Sequence, residues 1–232
     1  MHKALIFVLT GMMLAPVATG AARSGVAIQL STAGTTHAAP PADVDCTDTC
    51  VEELELARAA SEKYRNVAVA LADGYIPTSG CTTAEEAGED PSEGVMGIHF
   101  TDVEKDGNDI FDQILDVREP EQLLYVPDAM VPGGLRLVAI EYSAPALVNE
   151  QQWRGPLPPP EDVEPAPELF NHVFDGPMRG HDPLEIQPWH YDVHVWAWSD
   201  NPSGTFANFN PHEDCDPTTP PTGESASTRR LP

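Results

Sequence analysis

Apolar residues recur at three- and four-residue intervals from Cys50 to Asp73, which predicts an amphipathic helix. The spaced apolar positions are Leu54, Ala57, Tyr64, Val67, Ala68 and Leu71. Thr49 and Glu52 stand at the spacing of a capping box, in which each side chain accepts a backbone hydrogen bond. Gly74 favours a left-handed cap, and Pro77 prevents the helix from continuing. The pattern therefore predicts one long N-terminal helix of about six turns.

The segment from Val95 to Thr101 has the short apolar pattern of a strand. Alternation places three residues on one face and leaves His99 on the other face with Val95 and Gly97. The three residues that share the first face are Met96, Ile98 and Phe100. Because Gly97 carries no side chain, another group can approach closely beside His99.

Two further strands are predicted over Gln122–Pro127 and Leu135–Tyr142, joined by a glycine-rich turn. Such a hairpin makes the sheet at least partly antiparallel. Glu141 is unusual, since simple alternation places it on the face of Leu137 and Ala139. A carboxylate on a core face is costly unless it is paired or bound to metal, whereas at a solvent-facing strand end it is ordinary. The sequence leaves both alternatives open.

The stretch from Pro188 to Trp198 holds three of the four tryptophans. Its alternation, with His190 and His194 on one side, favours a strand, although Pro188 is also compatible with the first turn of a helix. On a strand these two histidines lie about 13 Å apart and can scarcely share one ion. On a helix they lie one turn apart and could chelate an ion together.

These elements combine into an α+β domain in which a long N-terminal helix packs on a mainly antiparallel β-sheet. Residues 1–22 have the basic, apolar and small-residue regions of a secretory signal peptide. Residues 23–45 and 216–232 have the composition of a flexible linker and a disordered tail. Residues 46–215 are predicted to form a single domain, without the roughly 20 consecutive apolar residues of a membrane span.

The chain is strongly acidic, with 37 acidic residues against 12 basic ones and a formal net charge of −25. Such a surface repels phosphates, so nucleic acids and anionic membranes are excluded as predicted partners. A small-molecule ligand is compatible with the charge, and no protein partner is predicted. Only three of the bases are lysines, and the acidic shell is interpreted as an adaptation to high salt.

The cysteines are four in number, Cys46, Cys50, Cys81 and Cys215. An even number in an exported chain favours two disulfides, and the spacing of a zinc finger is absent. Three connectivities are possible, and the sequence does not choose among them.

Histidine and carboxylate side chains on the predicted strands are candidates for a metal site. The candidates are His99, Glu141, His190 and His194, with His181 as a spare. Imidazole and carboxylate ligands suit a divalent transition metal, whose identity no spacing selects. On the strand interpretation His194 is the better ligand and His190 belongs to the rim. The alternatives are histidines hydrogen-bonded to carboxylates such as Glu141 and Asp192, and acid–base catalysis without metal.

Several segments resemble a family of uncharacterised exported prokaryotic proteins. The similar segments are Met96–Phe100, Leu124–Pro127, Val138–Tyr142, Gly180–Pro183, His190–Trp198, Asn201–Phe206 and Asn210–Pro211. The resemblance covers most of residues 50–215 and implies one domain and an exported location, but no reaction. This chain has Ile98-His99-Phe100 where the family more often has Tyr-His-Tyr.

Two functional hypotheses follow. The first is a secreted protein that binds a divalent transition metal through the His/Glu cluster, with a metalloenzyme of unidentified substrate as one form of it. The second is a metal-free extracellular or envelope-associated domain whose tryptophans, such as Trp196 and Trp198, line a groove for a sugar or other small ligand. The serine-hydrolase elbow, phosphate loop, dinucleotide fingerprint and HExxH motif are absent from the sequence.

Overall fold

A computed structural model describes residues 46–102, 114–179 and 189–218 of the chain. The predicted signal peptide and linker, His181, and residues 219–232 of the predicted tail lie outside the described residues. No helix among the described residues is long and apolar enough to cross a membrane.

The N-terminal helical region is interrupted, so the prediction of one long helix is wrong. It consists of α1, a 3-10 turn and α2, which span Asp48–Ser61, Glu62–Arg65 and Val67–Ala72. Asn66 breaks the helix because its backbone is extended, and its side chain accepts a hydrogen bond from the Ala68 amide at 3.1 Å. The N-cap is Thr47 rather than Thr49, with the Thr47 hydroxyl accepting from the Cys50 amide.

A six-stranded, wholly antiparallel sheet forms the body of the fold, in the order β1-β2-β3-β4-β10-β9. These strands are β1 Tyr75–Thr83, β2 Val95–Asp102, β3 Gln122–Pro127, β4 Leu135–Pro145, β9 Asp175–Met178 and β10 His190–Val195. Two short hairpins pair β5 Leu147–Val148 with β6 Gln151–Gln152, and β7 Glu168–Leu169 with β8 His172–Val173. A helical turn, α3 Ala84–Ala87, and a 3-10 turn, Pro91–Glu93, connect β1 to β2. The predicted antiparallel sheet is confirmed, and the stretch that begins at Pro188 contains a strand.

The two faces of the sheet differ in what they bury. The N-terminal helical region, residues 48–72, packs on one face in a cluster that includes Leu54, Ala57, Tyr64, Phe100, Leu123, Ile140, Tyr142 and Val193. A smaller apolar cluster includes Ala84, Met96, Leu124, Val126, Val138, Trp196 and Phe209. The side chains of Glu141, Asp192 and His194 alternate along their strands with residues of the larger cluster, so they lie on the face away from the N-terminal helical region.

A β-bulge in β4 changes which face Glu141 occupies. Leu124 pairs with Ala139 while the next residue of β3, Tyr125, pairs with Leu137, so Val138 is the extra residue. Leu137 therefore packs on the helical side, whereas Glu141 lies on the opposite face. The predicted common face of Leu137 and Glu141 is wrong, because period-two alternation fails at a bulge.

Gly97 produces a similar change in β2. Its backbone has φ +109, and a Cβ placed there would lie 2.8 Å from the Tyr125 carbonyl oxygen. The group that approaches closely is thus the neighbouring strand. Met96 packs in the smaller cluster and Phe100 in the larger one, so the predicted common face of Met96 and Phe100 is wrong.

The disulfide prediction is confirmed, with Cys46 joined to Cys50 and Cys81 joined to Cys215. The first spans the opening turn of α1, and the second closes a loop of sequence separation 134. The second bond therefore ties β1 to the last part of the described chain.

Arg136 joins three parts of the fold through buried carboxylates. Its guanidinium donates to both oxygens of Glu213, at 3.2 and 2.6 Å, and to Asp128 at 3.0 Å. We expect Arg136→Met to lower the free energy of unfolding by about 3 kcal/mol, because it leaves the Glu213 carboxylate buried without its cation.

Urea denaturation measures this change, with Arg118→Met as the matched control. Arg118 and Asp116 form an exposed ion pair at 3.6 Å, for which a loss below about 1 kcal/mol is expected. Equal losses in the two variants would contradict the assigned role of Arg136.

Candidate metal centre

Four polar residues form a row across the centre of the sheet. Thr101 of β2 pairs with Gln122 of β3, Gln122 pairs with Glu141 of β4, and Glu141 pairs with His194 of β10. Residues paired in adjacent antiparallel strands place their side chains on the same face, about 5 Å apart. The register therefore brings together side chains that are nearly a hundred residues apart in sequence.

Hydrogen bonds hold the Glu141 carboxylate in one orientation. Its Oε1 accepts from Gln122 Nε2 at 2.7 Å and from the Ser143 hydroxyl at 3.2 Å. The Gln122 side chain is itself oriented by the Thr101 hydroxyl, which donates to Gln122 Oε1 at 3.0 Å. Both donors engage Oε1, so Oε2 is the oxygen that faces the histidines.

Contacts with Ser79 favour one tautomer of His99. The Ser79 hydroxyl donates to the Gly80 carbonyl at 2.7 Å, and His99 Nδ1 lies 3.0 Å from the same hydroxyl oxygen. The tautomer in which Nδ1 donates to this oxygen satisfies both contacts and leaves the lone pair of the neutral imidazole on Nε2. That Nε2 lies 3.3 Å from Glu141 Oε2.

His194 is buried at 1% exposure, and neither of its ring nitrogens has a hydrogen-bond partner among the described residues. Its Nε2 lies 3.6 Å from Glu141 Oε2, which also lacks a hydrogen bond of good geometry. A buried polar atom left in this way costs about 1–3 kcal/mol. The atoms without partners thus face each other across a gap too long for a hydrogen bond.

The spacing of these three groups suits a shared cation. Two ligand atoms bound at about 2.0–2.1 Å with tetrahedral angles lie about 3.3–3.4 Å apart. The separations from Glu141 Oε2 to His99 Nε2 and to His194 Nε2, 3.3 and 3.6 Å, are close to this value. The ligand atoms of all three residues lie within 4.8 Å of one another. These residues could therefore hold a metal ion.

The imidazoles also control the ionisation of Glu141. Burial by itself raises the pKa of this carboxyl group, but the electrostatic attraction of His194, the side-chain hydrogen bond and attraction of His99, and the attraction of His190 outweigh burial and lower the pKa below its ordinary value. Glu141 is thus an anion, the form in which a carboxylate binds a metal.

His190 belongs to a second group of possible ligands rather than to the first. This group consists of Glu141, His190 and Asp192, with ligand atoms again within 4.8 Å of one another. His190 is 2% exposed, so the prediction that it lies at a rim is wrong. The four predicted ligands therefore divide into two overlapping groups, and Glu141 is common to both.

Of the two tryptophans named in the second hypothesis, Trp196 is buried and Trp198 is partly buried beside two arginines. Trp196 is 3% exposed, and its indole N–H donates to the Ala207 carbonyl at 2.6 Å. The ring of Trp198 lies 5.0 Å from the guanidinium carbon of Arg58 and 5.3 Å from that of Arg65. Elsewhere a cavity of about 380 Å³ is lined by residues that include Phe170, His172, Phe206 and Asn208, and none of its lining residues is a tryptophan.

Thr101 and Ser143 were not predicted as parts of the site, and Asp192 was predicted only as a hydrogen-bond partner of the histidines, although the period of a strand locates all three. Thr101 and Ser143 lie two residues after His99 and Glu141, and Asp192 lies two residues before His194. Because residues i and i+2 of a strand share a face, each named candidate points to its neighbour. Gln122 and Ser79 have no such signal, since they meet the site only through strand pairing.

Comparison of the chain with protein-family models, curated proteins and solved structures found no match. The geometry of the cluster is therefore the basis for assigning a function. Nothing in the described structure indicates nucleic-acid binding, in agreement with the charge of −25.

Proposed function

We propose that this protein is exported and binds a divalent transition metal through His99, Glu141 and His194. The observation that supports the proposal is a pair of buried atoms that have no hydrogen-bond partner among the described residues, Glu141 Oε2 and His194 Nε2, at a ligand-to-ligand separation of 3.6 Å. An ion between them supplies the partner that each atom lacks. The neighbouring His99 Nε2 completes a set of three donors.

The donor set favours some metals over others. Two imidazoles and one carboxylate suit zinc, copper, nickel, manganese or iron better than calcium or magnesium, which prefer oxygen ligands. Catalytic zinc sites commonly have three protein ligands and one position for water or substrate, and two histidines with one glutamate is one such set. The proposed centre therefore has the composition of an open site, and a metalloenzyme is included in the proposal.

The exported location is supported by the covalent structure. Two disulfides form from the four cysteines, and such bonds persist in oxidising compartments. The signal-peptide pattern of residues 1–22 and the resemblance to exported prokaryotic proteins also support an exported location. We extend the proposal to a salty medium, in which a chain with 37 acidic and 12 basic residues is screened.

Substitution of His194 tests the proposed ligand set. We expect wild-type protein, purified without an affinity tag, to retain metal and His194→Ala to bind Zn²⁺ at least about 100-fold more weakly, since a direct ligand is lost. Competition with a chromophoric chelator measures the affinity, and elemental analysis identifies the native metal.

His172→Ala is the matched control, because His172 lies outside both ligand groups and stacks on Phe206 at 4.6 Å. Its affinity for Zn²⁺ should equal that of the wild type. Wild-type protein that holds no metal after purification and after incubation with each candidate ion would contradict the proposal.

A further inference from the structure

We infer that the cluster binds two metal ions, with Glu141 contributing to both, an inference that rests on the proposed metal binding. The second ion would be held by His190, Asp192 and Glu141, whose ligand atoms lie within 4.8 Å of one another. All three residues are buried, at 2%, 4% and 2% exposure. The two sites would form one centre in which the shared carboxylate connects the ions.

The surroundings of the buried Asp192 carboxylate are the first argument for a second ion. Its Oδ1 is buried and has no hydrogen-bond partner among the described residues. Its Oδ2 lies 3.5 Å from His190 Nε2, close to the separation of about 3.3–3.4 Å expected for two ligands on one ion. Asp192 thus resembles Glu141 in having a buried oxygen that lacks a donor.

Charge is the second argument. Glu141 and Asp192 place two carboxylates a few ångströms apart in a buried setting, where their repulsion is weakly screened. No lysine or arginine among the described residues forms an ion pair with either of them. One divalent ion at His99, Glu141 and His194 equals the two carboxylates in total charge, but Asp192 does not belong to that ligand group. A cation bound by His190 and Asp192 gives this second buried carboxylate a counter-charge in direct contact.

The residues of β4 that pair with the second group have short side chains. On β4, Asp192 pairs with Ser143 and His190 pairs with Pro145. Both opposing side chains are short, so the space above this end of the strand pair is not filled from β4. His190 and Asp192 thus lie two residues apart on β10, and Glu141 of the neighbouring strand β4 completes the group.

The two sites differ in chemistry, which predicts an order of loading. The first has two nitrogens and one oxygen, and the second has one nitrogen and two oxygens. Nitrogen-rich sites favour zinc, whereas carboxylate-rich sites also accept manganese. The first site should therefore take up Zn²⁺ at lower concentration, and the second should fill later or take up Mn²⁺.

Metal stoichiometry tests the inference on the full disulfide-bonded protein. Demetallated protein is dialysed against buffered Zn²⁺, and bound zinc is measured per chain. We expect about two ions for the wild type and about one for His190→Ala/Asp192→Asn. The matched control is His212→Ala/Asp200→Asn, which removes a surface pair with 4.0 Å between His212 Nδ1 and Asp200 Oδ2 and should retain about two.

The outcomes separate this inference from the proposed function. A wild type with one ion, retained in His190→Ala/Asp192→Asn but lost in His194→Ala, overturns the second site and leaves the first. One ion that is lost with His190→Ala/Asp192→Asn overturns the two-ion centre and assigns the ion to the second group. A wild type that binds no ion overturns both proposals.

If the double variant does not fold, Asp192→Asn alone replaces it in the test. Asparagine has nearly the same shape as aspartate and removes one ligand charge. Electron paramagnetic resonance with Mn²⁺ gives a second readout that does not depend on counting ions. Two ions joined by a carboxylate should give an exchange-coupled spectrum, and Asp192→Asn should restore the six-line signal of an isolated ion. An uncoupled spectrum for the wild type loaded with two ions would overturn the shared role of Glu141.

Discussion

Glu141→Gln should lower the affinity for Zn²⁺ by at least about 100-fold. Glu141 is the one residue common to both ligand groups, and its Oε2 is the oxygen that faces His99 and His194. Glutamine keeps the volume of the side chain, and its carbonyl oxygen can still accept from Gln122 Nε2. In that orientation the amide NH2 group replaces Oε2, so the loss would come from the missing ligand oxygen and its negative charge. Isothermal titration of demetallated protein with Zn²⁺ measures the change.

Glu121→Gln is the matched control for this variant. Glu121 is also buried, at 7% exposure, and its Oε2 accepts from the Ser143 amide at 3.2 Å, but it belongs to neither ligand group. Its affinity for Zn²⁺ should remain close to that of the wild type. Near-UV circular dichroism in chelator checks that both variants keep the native packing. Retention of wild-type affinity in Glu141→Gln would refute the metal centre in either form.

Removal of the Cys81–Cys215 disulfide should have the largest effect on stability. For a sequence separation of 134, the chain-entropy relation gives a loss of about 5 kcal/mol, because the reduced unfolded chain gains conformational freedom. We expect Cys81→Ala/Cys215→Ala to be unfolded or close to it at ambient temperature, since whole domains are stable by about 5–15 kcal/mol. Urea denaturation in chelator, which removes the contribution of bound metal, measures the loss.

The second disulfide provides the control. Cys46 and Cys50 are four residues apart, and the same relation gives about 2 kcal/mol for Cys46→Ala/Cys50→Ala. The two variants remove the same number of sulfur atoms and differ mainly in the length of the loop released. A larger loss for Cys46→Ala/Cys50→Ala than for Cys81→Ala/Cys215→Ala would contradict the assignment of the main covalent constraint to the long loop.

The strands were predictable because their signal is local. The Leu135–Tyr142 segment alternates and is preceded by a glycine-rich turn, which is sufficient to predict β4 and its hairpin with β3. The helix was predicted too long because apolar spacing continues through Asn66, whose side chain favours a cap over continuation. The face of Glu141 was predicted incorrectly because one extra residue at Val138 shifts the alternation.

The pairing of the cysteines is a further feature that the sequence leaves open. An even number of cysteines predicts disulfides, but all three connectivities agree with the sequence. The structure selects Cys81 with Cys215 because β1 and the segment after Asn210 both lie beside β2, where Val95 bridges to Asn210. The choice depends on contacts between distant parts of the chain.

By itself, the sequence determined the acidic character of this protein, the strands that carry His99, Glu141 and His194, and the residue types suited to a metal. Tertiary structure alone decided that these side chains converge, because convergence depends on the strand order β2-β3-β4-β10 and on its register. It also decided that His190 and Asp192 form a second group around the same carboxylate. Alternation reports which face a side chain occupies within one strand, whereas packing across the whole sheet sets which strands become neighbours.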